Sequence, residues 1–502
     1  MYTNIGNRRE VFWDDILVDI NETSANLTMH KPVKKELAIT ITDGWEKDGI
    51  SYPHCIKIGE AYYMYYMTGM PVYETSQKST VGNEAAVRKK YVCCVMKTKD
   101  FVNWERPVVG TYSYPGFEEN NIVISMDDRL MDNMYVFYDE NPNCPASEKY
   151  KAVGMGFNDK DYPEDAEFWL YTSPDGLHFT RSRMIWDGVN SEGCRFDTLN
   201  ITWYDKIDGI YKSFVRGIHP RFEGDDNPHK YIRDIRYSES KDFINWTIPK
   251  FLSYGESAPD YPLYTNQIRR YDRAPHMYIG FPTRYVEREA WSTNFDQLGG
   301  PINAEMRKKR MASSPREGLA ITDGIFMSSR DGLNWNRFDE VFIGGEPEYA
   351  QNWVYGDSYN MYNLFETPCS EPVGGTELSL FVKEGSKQQG SINLYRYTMR
   401  LDGFASYHAG YEVKTLTTKP FIYDGNELSI NFSTSAIGFC YVDILDESGK
   451  PIEGYHSCEL FGNTTDRTVY FGDSRDVSKL AGRPVKLKFT MRDADIYSFI
   501  FR

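Results

Sequence analysis

Along the chain, polar stretches are interrupted by aromatic-rich apolar runs read with a period of two: AYYMYYM at 61–67, NMYVFYDE at 133–140, GIYKSFVRG at 209–217, PHMYIGFP at 275–282 and ELSLFVKE at 377–384. That period puts successive side chains on opposite faces of a strand, and Tyr, Phe, Val and Ile suit a pleated surface. Each run is therefore predicted as a strand. Long helical patterns are almost absent; PINAEMRKKRMASS at 301–314 reads as a short helix or a mobile insertion.

Between these runs one phrase recurs. It reads KTKDFVNWER from Lys97, YTSPDGLHFTRS at 171–182, SESKDFINWT from Ser238 and MSSRDGLNWNRF at 327–338, with a decayed copy, TMRLDGFASY, from Thr398. Four copies place an aromatic four residues after the Asp: Trp104, Phe179, Trp246 and Trp335. An Asp that caps its own turn, a residue that takes positive φ and an aromatic anchor on the returning strand make a hairpin. Five copies at intervals of about 70–90 residues suit four-stranded propeller blades with long loops.

After residue 411 the pattern changes to NELSINFS, GFCYVDILD, RTVYFG, RPVKLKFTMRD and DIYSFIFR, separated by turns such as DESGK. The prediction is an all-β chain: a five-bladed β-propeller over 1–410 and a β-sandwich over 411–502. Residues 1–42 are expected to supply a lead-in or closing strand for the first blade.

Composition narrows the function classes. With 502 residues the chain can bury large cores, and its 15% aromatic content, including 38 Tyr, suits both strands and sugar-binding surfaces. A net charge of −15 argues against nucleic acid or anionic membrane as partner. No run is long and apolar enough to span a membrane. The eight Cys show no metal-binding spacing and read as free thiols of a reducing compartment. The N-terminus has no apolar signal core, so a cytoplasmic location is expected. A homo-oligomer is left open.

Five units followed by a sandwich resemble the five-bladed propeller glycosidases, glycoside hydrolase families 32 and 43 and their relatives. In GWEKDGISYPHCIKIGEAYYMYY, Trp45 and Asp48 keep the Trp-to-Asp spacing of the family 32 opening motif, although its Asn and Pro are missing. Asp139 in FYDENPNCPASEKYKAVGMG is a loose counterpart of that family's Arg-Asp-Pro, and SEGCRFDTLN supplies Glu192, Arg195 and Asp197 in the expected blade. The resemblance implies a divergent relative that hydrolyses glycosidic bonds of small oligosaccharides with carboxylates in the propeller funnel. SSRDGLNW also resembles the sialidase Asp-box, but it lacks a residue between Asp and Gly, and sialidases have six blades.

Glycosidic cleavage needs two carboxyl groups across a pocket, and a third often tunes the acid. The first side chains of a propeller's innermost strands line its funnel. In the first blade Glu46 and Asp48 are the candidates, with Trp45 as a sugar platform and His54 in the strand that follows. Asp139, and Asn121 in the run with Asn120, are the second blade's candidates. Asp197 is the preferred acid or tuning group of the third, with Glu192 its rival. Arg195, Arg216, Arg233 and Arg236 could face the same cleft, and two or more arginines there would suit a carboxylate or phosphate on the substrate. Trp353 and Asp357 are offered by the fifth blade. No metal or other cofactor is implied. A carbohydrate-binding propeller without catalysis and a glycoside phosphorylase remain the alternatives.

Overall fold

The computed structural model describes residues 2–41, 46, 50–70, 90–113, 116–126, 130–157, 167–187, 190–225, 230–312, 315–349, 352–369, 375–385 and 392–502. Five sheets of four or five antiparallel strands form the blades of a propeller, and a sixth sheet of ten strands makes the sandwich-like unit. Blade 1 runs outward through Ile50–Ile58, Ala61–Met70, Lys90–Thr98 and Ile122–Ile124. Blade 2 holds Leu130–Tyr138, Tyr150–Phe157, Glu167–Ser173 and Thr180–Trp186; blade 3 holds Ile201–Asp205, Ile210–His219, Ile232–Ser240 and Lys250–Phe251. Blade 4 has Arg269–Tyr271, a second strand broken into Ala274–Gly280 and Thr283–Glu287, then Ala320–Ser329 and Trp335–Ile343. Blade 5 has Tyr359–Asn360 and Phe365–Pro368, then Thr376–Glu384, Ile392–Met399 and Val33–Ile41.

Four of the five alternating runs are second strands, and NMYVFYDE lies on the first strand of blade 2 and just beyond it. The second strands have a neighbour on each side and a blade against each face. Adjacent Tyr65 and Tyr66 show the consequence: the first enters the core between blades 1 and 2, and the other packs on the opposite face of blade 1.

All four intact copies of the repeated phrase join the third strand of a blade to its fourth. In each, one Asp oxygen accepts two backbone N–H groups, as Asp242 does from Ile244 and Asn245, both at 2.8 Å. A Ser or Thr two residues earlier completes the turn. The residue after the Asp has positive φ in every copy: Phe101 at 60°, Gly176 at 79°, Phe243 at 63° and Gly332 at 80°. Glycine takes that conformation freely; phenylalanine is held in it by the turn and by its burial.

The decayed fifth copy does different work. Asp402 is fully buried where propeller and sandwich meet, accepting from Tyr271 Oη at 2.7 Å, Arg273 Nε at 2.8 Å and Ser498 Oγ at 2.7 Å. Burial opposes its charge, but the Arg273 hydrogen bond and the nearby Arg9 hold its pKa below the ordinary value.

The N-terminal residues serve other elements than the first blade. Val33–Ile41 pairs antiparallel with Ile392–Met399 and closes the ring as the outer strand of blade 5, because blade 1 already has four strands of its own. Thr3–Gly6, Glu10–Val11 and Asn26–Met29 join the sixth sheet. There the segments read as four separate strands form two long ones, Leu428–Asp446 and Val485–Phe501. Their register shifts between Thr434 and Phe439, where a Cβ on Gly438 would collide with the Asp493 carbonyl. The helices Thr293–Gln297, Pro301–Met311 and Pro315–Leu319 form an insertion between the second and third strands of blade 4. Phe295, Leu298 and Leu319 form its own small core.

Candidate functional site

The two ends of the inner strands differ in chemistry. Each first strand starts at one end of the ring, which is also where second strands connect to third strands. The Asp-capped turns lie at the other end. At the starting end, Tyr52, Asp132 and Tyr359 gather with Asp197 and Tyr264, and burial together with these neighbours raises the pKa of the first three.

Local turns set the two carboxylates. Asp132 begins the first strand of blade 2, and its Oδ1 accepts the N–H of Asn133, which has φ 58°. With its amide oriented to satisfy both neighbours, Asn133 also donates to Asp132 Oδ1 at 3.1 Å and accepts the Thr198 N–H at 3.2 Å. This ties Asp132 to the turn that carries Asp197. On that turn Phe196 has φ 45°, Asn200 Nδ2 donates to the carbonyls of Phe196 at 2.7 Å and Thr198 at 2.9 Å, and Asn200 Oδ1 accepts the Arg216 N–H at 3.0 Å. Burial, and then the charge of Asp197, push the Asp132 carboxyl up to about 7. Asp132 thus holds its proton near neutrality beside a second carboxylate, an arrangement that separates an acid from its partner.

A wall of tyrosines and arginines stands beside the pair. Tyr264 stacks on Tyr285 with centroids 5.5 Å apart, and Tyr355 Oη donates to Tyr264 Oη at 3.0 Å. The Arg216 guanidinium lies 4.4 Å from the Tyr264 ring centre and donates to the Tyr264 carbonyl. Arg233 lies 5.8 Å from the Tyr264 centre and 5.6 Å from that of Tyr285. Arg316, from the last helix of the blade 4 insertion, interacts with Tyr264, Tyr285, Tyr355 and Asp197.

Of the residues anticipated from sequence, Asp197, Arg216 and Arg233 stand in this group. Trp45 and Asp48 lie outside the described residues. Glu46 is buried in a bidentate pair with Arg106, and Tyr66 donates to it while accepting from Asn121 Nδ2 at 2.8 Å. Glu46 and Asn121 therefore meet inside blade 1. Asp139 follows the far end of its strand, where it is fully buried against Lys151 Nζ at 2.8 Å and Tyr211 Oη at 2.8 Å. The same tie recurs one blade later as Asp205 with Lys212 and Tyr278. His54 is buried between blades, its Nε2 accepting the Val136 N–H at 2.7 Å, and burial lowers its pKa to about 3. Trp353 donates to the Glu346 carbonyl at 2.8 Å and packs on the helical insertion; with Asp357 it lines a separate cavity of about 110 Å³. Glu192 is exposed, and Arg236 donates to its carbonyl at 3.0 Å.

Asp132 and Arg316 were not anticipated. Asp132 directly precedes the run NMYVFYDE and carries the expected signal, a carboxylate at the head of an inner strand. Its selection required knowing that this run is a first strand and not a second one. Arg316 has no local signal, since an insertion in another blade delivers it.

No protein-family model and no curated protein matches the chain. Solved structures with a similar arrangement of strands include a glycoside hydrolase (12% identity, TM-score 0.44, 73% of this chain and 92% of that one). An N-acetylgalactosamine deacetylase from F. plautii, in complex with blood group B trisaccharide, aligns at 12% identity and TM-score 0.43 over 74% of this chain and 96% of that one. An exo-β-1,3-galactanase from Phanerochaete chrysosporium, with galactose, aligns at 10% identity and TM-score 0.37 over 95% of this chain and 100% of that one. At this distance the likeness carries no argument about chemistry.

Proposed function

We propose that the chain is a glycoside hydrolase acting on small oligosaccharides at the funnel end of the propeller. The observation that carries this reading is the linked pair Asp132 and Asp197, with Asp132 raised to about 7 beside a tyrosine wall. In this reading the Asp132 carboxyl protonates the leaving glycosidic oxygen. Asp197 either takes a proton from the attacking water or attacks the anomeric carbon itself, and water then completes the hydrolysis. His54 and Asp139 join neighbouring blades, whereas Glu46 and Asn121 brace blade 1 from within; Asp48 is kept as the first-blade candidate on its sequence position alone.

The test is hydrolysis of a panel of neutral and acidic nitrophenyl glycosides and short oligosaccharides by the wild type, Asp132→Asn and Asp197→Asn. Turnover lost in both variants, with melting temperatures kept, supports the reading. Wild-type turnover that survives in both variants removes it. A purely carbohydrate-binding propeller would retain the sugar without cleaving it.

A further inference from the structure

We infer that Arg216, Arg233 and Arg316 form an oxyanion subsite in the funnel, so that the sugar bound beside Asp132 and Asp197 carries, or is accompanied by, a carboxylate or phosphate group. The inference rests on the proposed glycosidase site for its position, and on the arginines alone for its chemistry.

Arg216 and Arg233 sit on neighbouring strands. Arg216 pairs with Ile235 and Arg233 with Ile218, which makes the two arginines diagonal neighbours on one face of the hairpin. Both guanidinium groups lie over Tyr264, and that of Arg233 also faces Tyr285. The two cations are thus held against tyrosine rings. Arg216 uses Nη2 on the Tyr264 carbonyl, and guanidinium N–H groups that remain are of the kind that binds oxyanions. Arg216 is 2% exposed, yet its Nη1 has no hydrogen-bond partner, and neither does the buried Nε of Arg233.

Counter-charge is scarce as well. Among the described residues none of the three arginines is in ion-pair contact with a carboxylate, whereas the buried Glu46, Asp139, Asp205 and Asp402 each have a cation at hand. Burial, Arg216 and Arg316 together lower the pKa of Arg233, as expected of a cation lacking an anion. Uncompensated buried cations are costly, and the buried carboxylates just named are each paired. Asp197 faces Arg316 but is one carboxylate against three cations, and Asp132 keeps its proton near neutrality. An oxyanion of the ligand restores the balance.

Two sources share this chemistry: a uronic acid in the substrate, and phosphate, either on the sugar or as the attacking co-substrate of a phosphorylase. Binding can be measured by calorimetry at low salt with galacturonate, glucuronate and inorganic phosphate as probes, against galactose and glucose. The proteins are Asp132→Asn, which removes turnover but no arginine, and Asp132→Asn combined with Arg316→Gln or with Arg233→Gln. The subsite predicts that at least one anionic probe binds and that each arginine loss weakens it about tenfold or more, with neutral sugars unchanged. Uronate binding identifies the substrate-borne carboxylate; phosphate binding alone identifies the phosphate source. Anions that bind no better than neutral sugars, or affinity indifferent to both arginine losses, overturn the subsite. Because Arg316 lies on a surface insertion, its variant remains informative if Arg233→Gln fails to fold. Hydrolysis of a neutral glycoside with equal activity in the wild type and single-site Arg316→Gln and Arg233→Gln would remove the subsite and leave the glycosidase standing. Arginine-dependent anion binding without hydrolysis of any glycoside would do the reverse.

Discussion

Asp139 and Asp132 belong to one inner strand region, six side chains and one strand length apart, and they meet opposite fates. Asp139, past the end of the strand, has Lys151 and Tyr211 within 2.8 Å and is closed off from solvent. Asp132, at the start, has no cation in contact among the described residues, and burial with a second carboxylate lifts its pKa to about 7. The far end repeats its solution in the next blade with Asp205, Lys212 and Tyr278, as a structural device would. The funnel end repeats nothing, and it collects charges from blades 2, 3 and 4. Fully paired charge locks one blade to the next, while unpaired charge at the other end is available for chemistry.

Four experiments sharpen or break this contrast. The largest effect is expected from Asp132→Asn and Asp197→Asn, each lowering kcat/KM about a thousandfold with folding intact by circular dichroism. If Asp139→Asn instead gave that loss with an unchanged melting temperature, the two ends would have to exchange roles. Next, Lys151→Met should cost about 3–5 kcal/mol in urea denaturation, because it leaves the Asp139 carboxylate buried and unpaired. The double variant Lys151→Met with Asp139→Asn should regain much of that. A smaller effect concerns pH. The folded state holds the Asp132 proton up to about 7, while an unfolded Asp loses it near 4. This contribution to stability is therefore full below about 4 and is lost as pH rises to about 7, and Asp132→Asn should flatten that slope in pH-dependent denaturation. In the wild type, activity should also fall as pH rises through about 7. The smallest effect is at a capped turn: Asp242→Ala, remote from the funnel, should cost about 1 kcal/mol of stability and leave kcat unchanged.

The repeated turns made the propeller legible, because each is a local device whose Ser or Thr, Asp and aromatic sit within seven residues of one another. The blade count followed from them. The sandwich strands were legible as apolar alternation, but not their fusion into two long strands, because the shift at Gly438 is a property of the pair and not of either segment. The site was legible only in part. Asp197 sits where a blade-head rule puts it, and Arg216 was singled out as the end of an aromatic strand. Asp132 was hidden behind uncertainty over which strand of the blade it starts, and Asp139 stands in a similar apolar context at the wrong end. Arg316 depends on an insertion folding back over the funnel, which no short window of sequence contains.

The closing strand Val33–Ile41 has a consequence for how the molecule is made. It leaves the ribosome before all five inner strands, yet its partner Ile392–Met399 is among the last of the propeller. At about 5–20 residues per second, some 20–70 s separate the two. During that interval the strand is an unpaired edge, the kind of surface that recruits other chains. Thr3–Gly6 waits longer still, because its partner Phe421–Tyr423 comes later. Blades 1 to 4 can each form behind the ribosome, but the ring closes only once Ile392–Met399 is made, and the sandwich only once Val485–Phe501 follows. A chain stopped before Ile392 therefore leaves the ring without its closing pair.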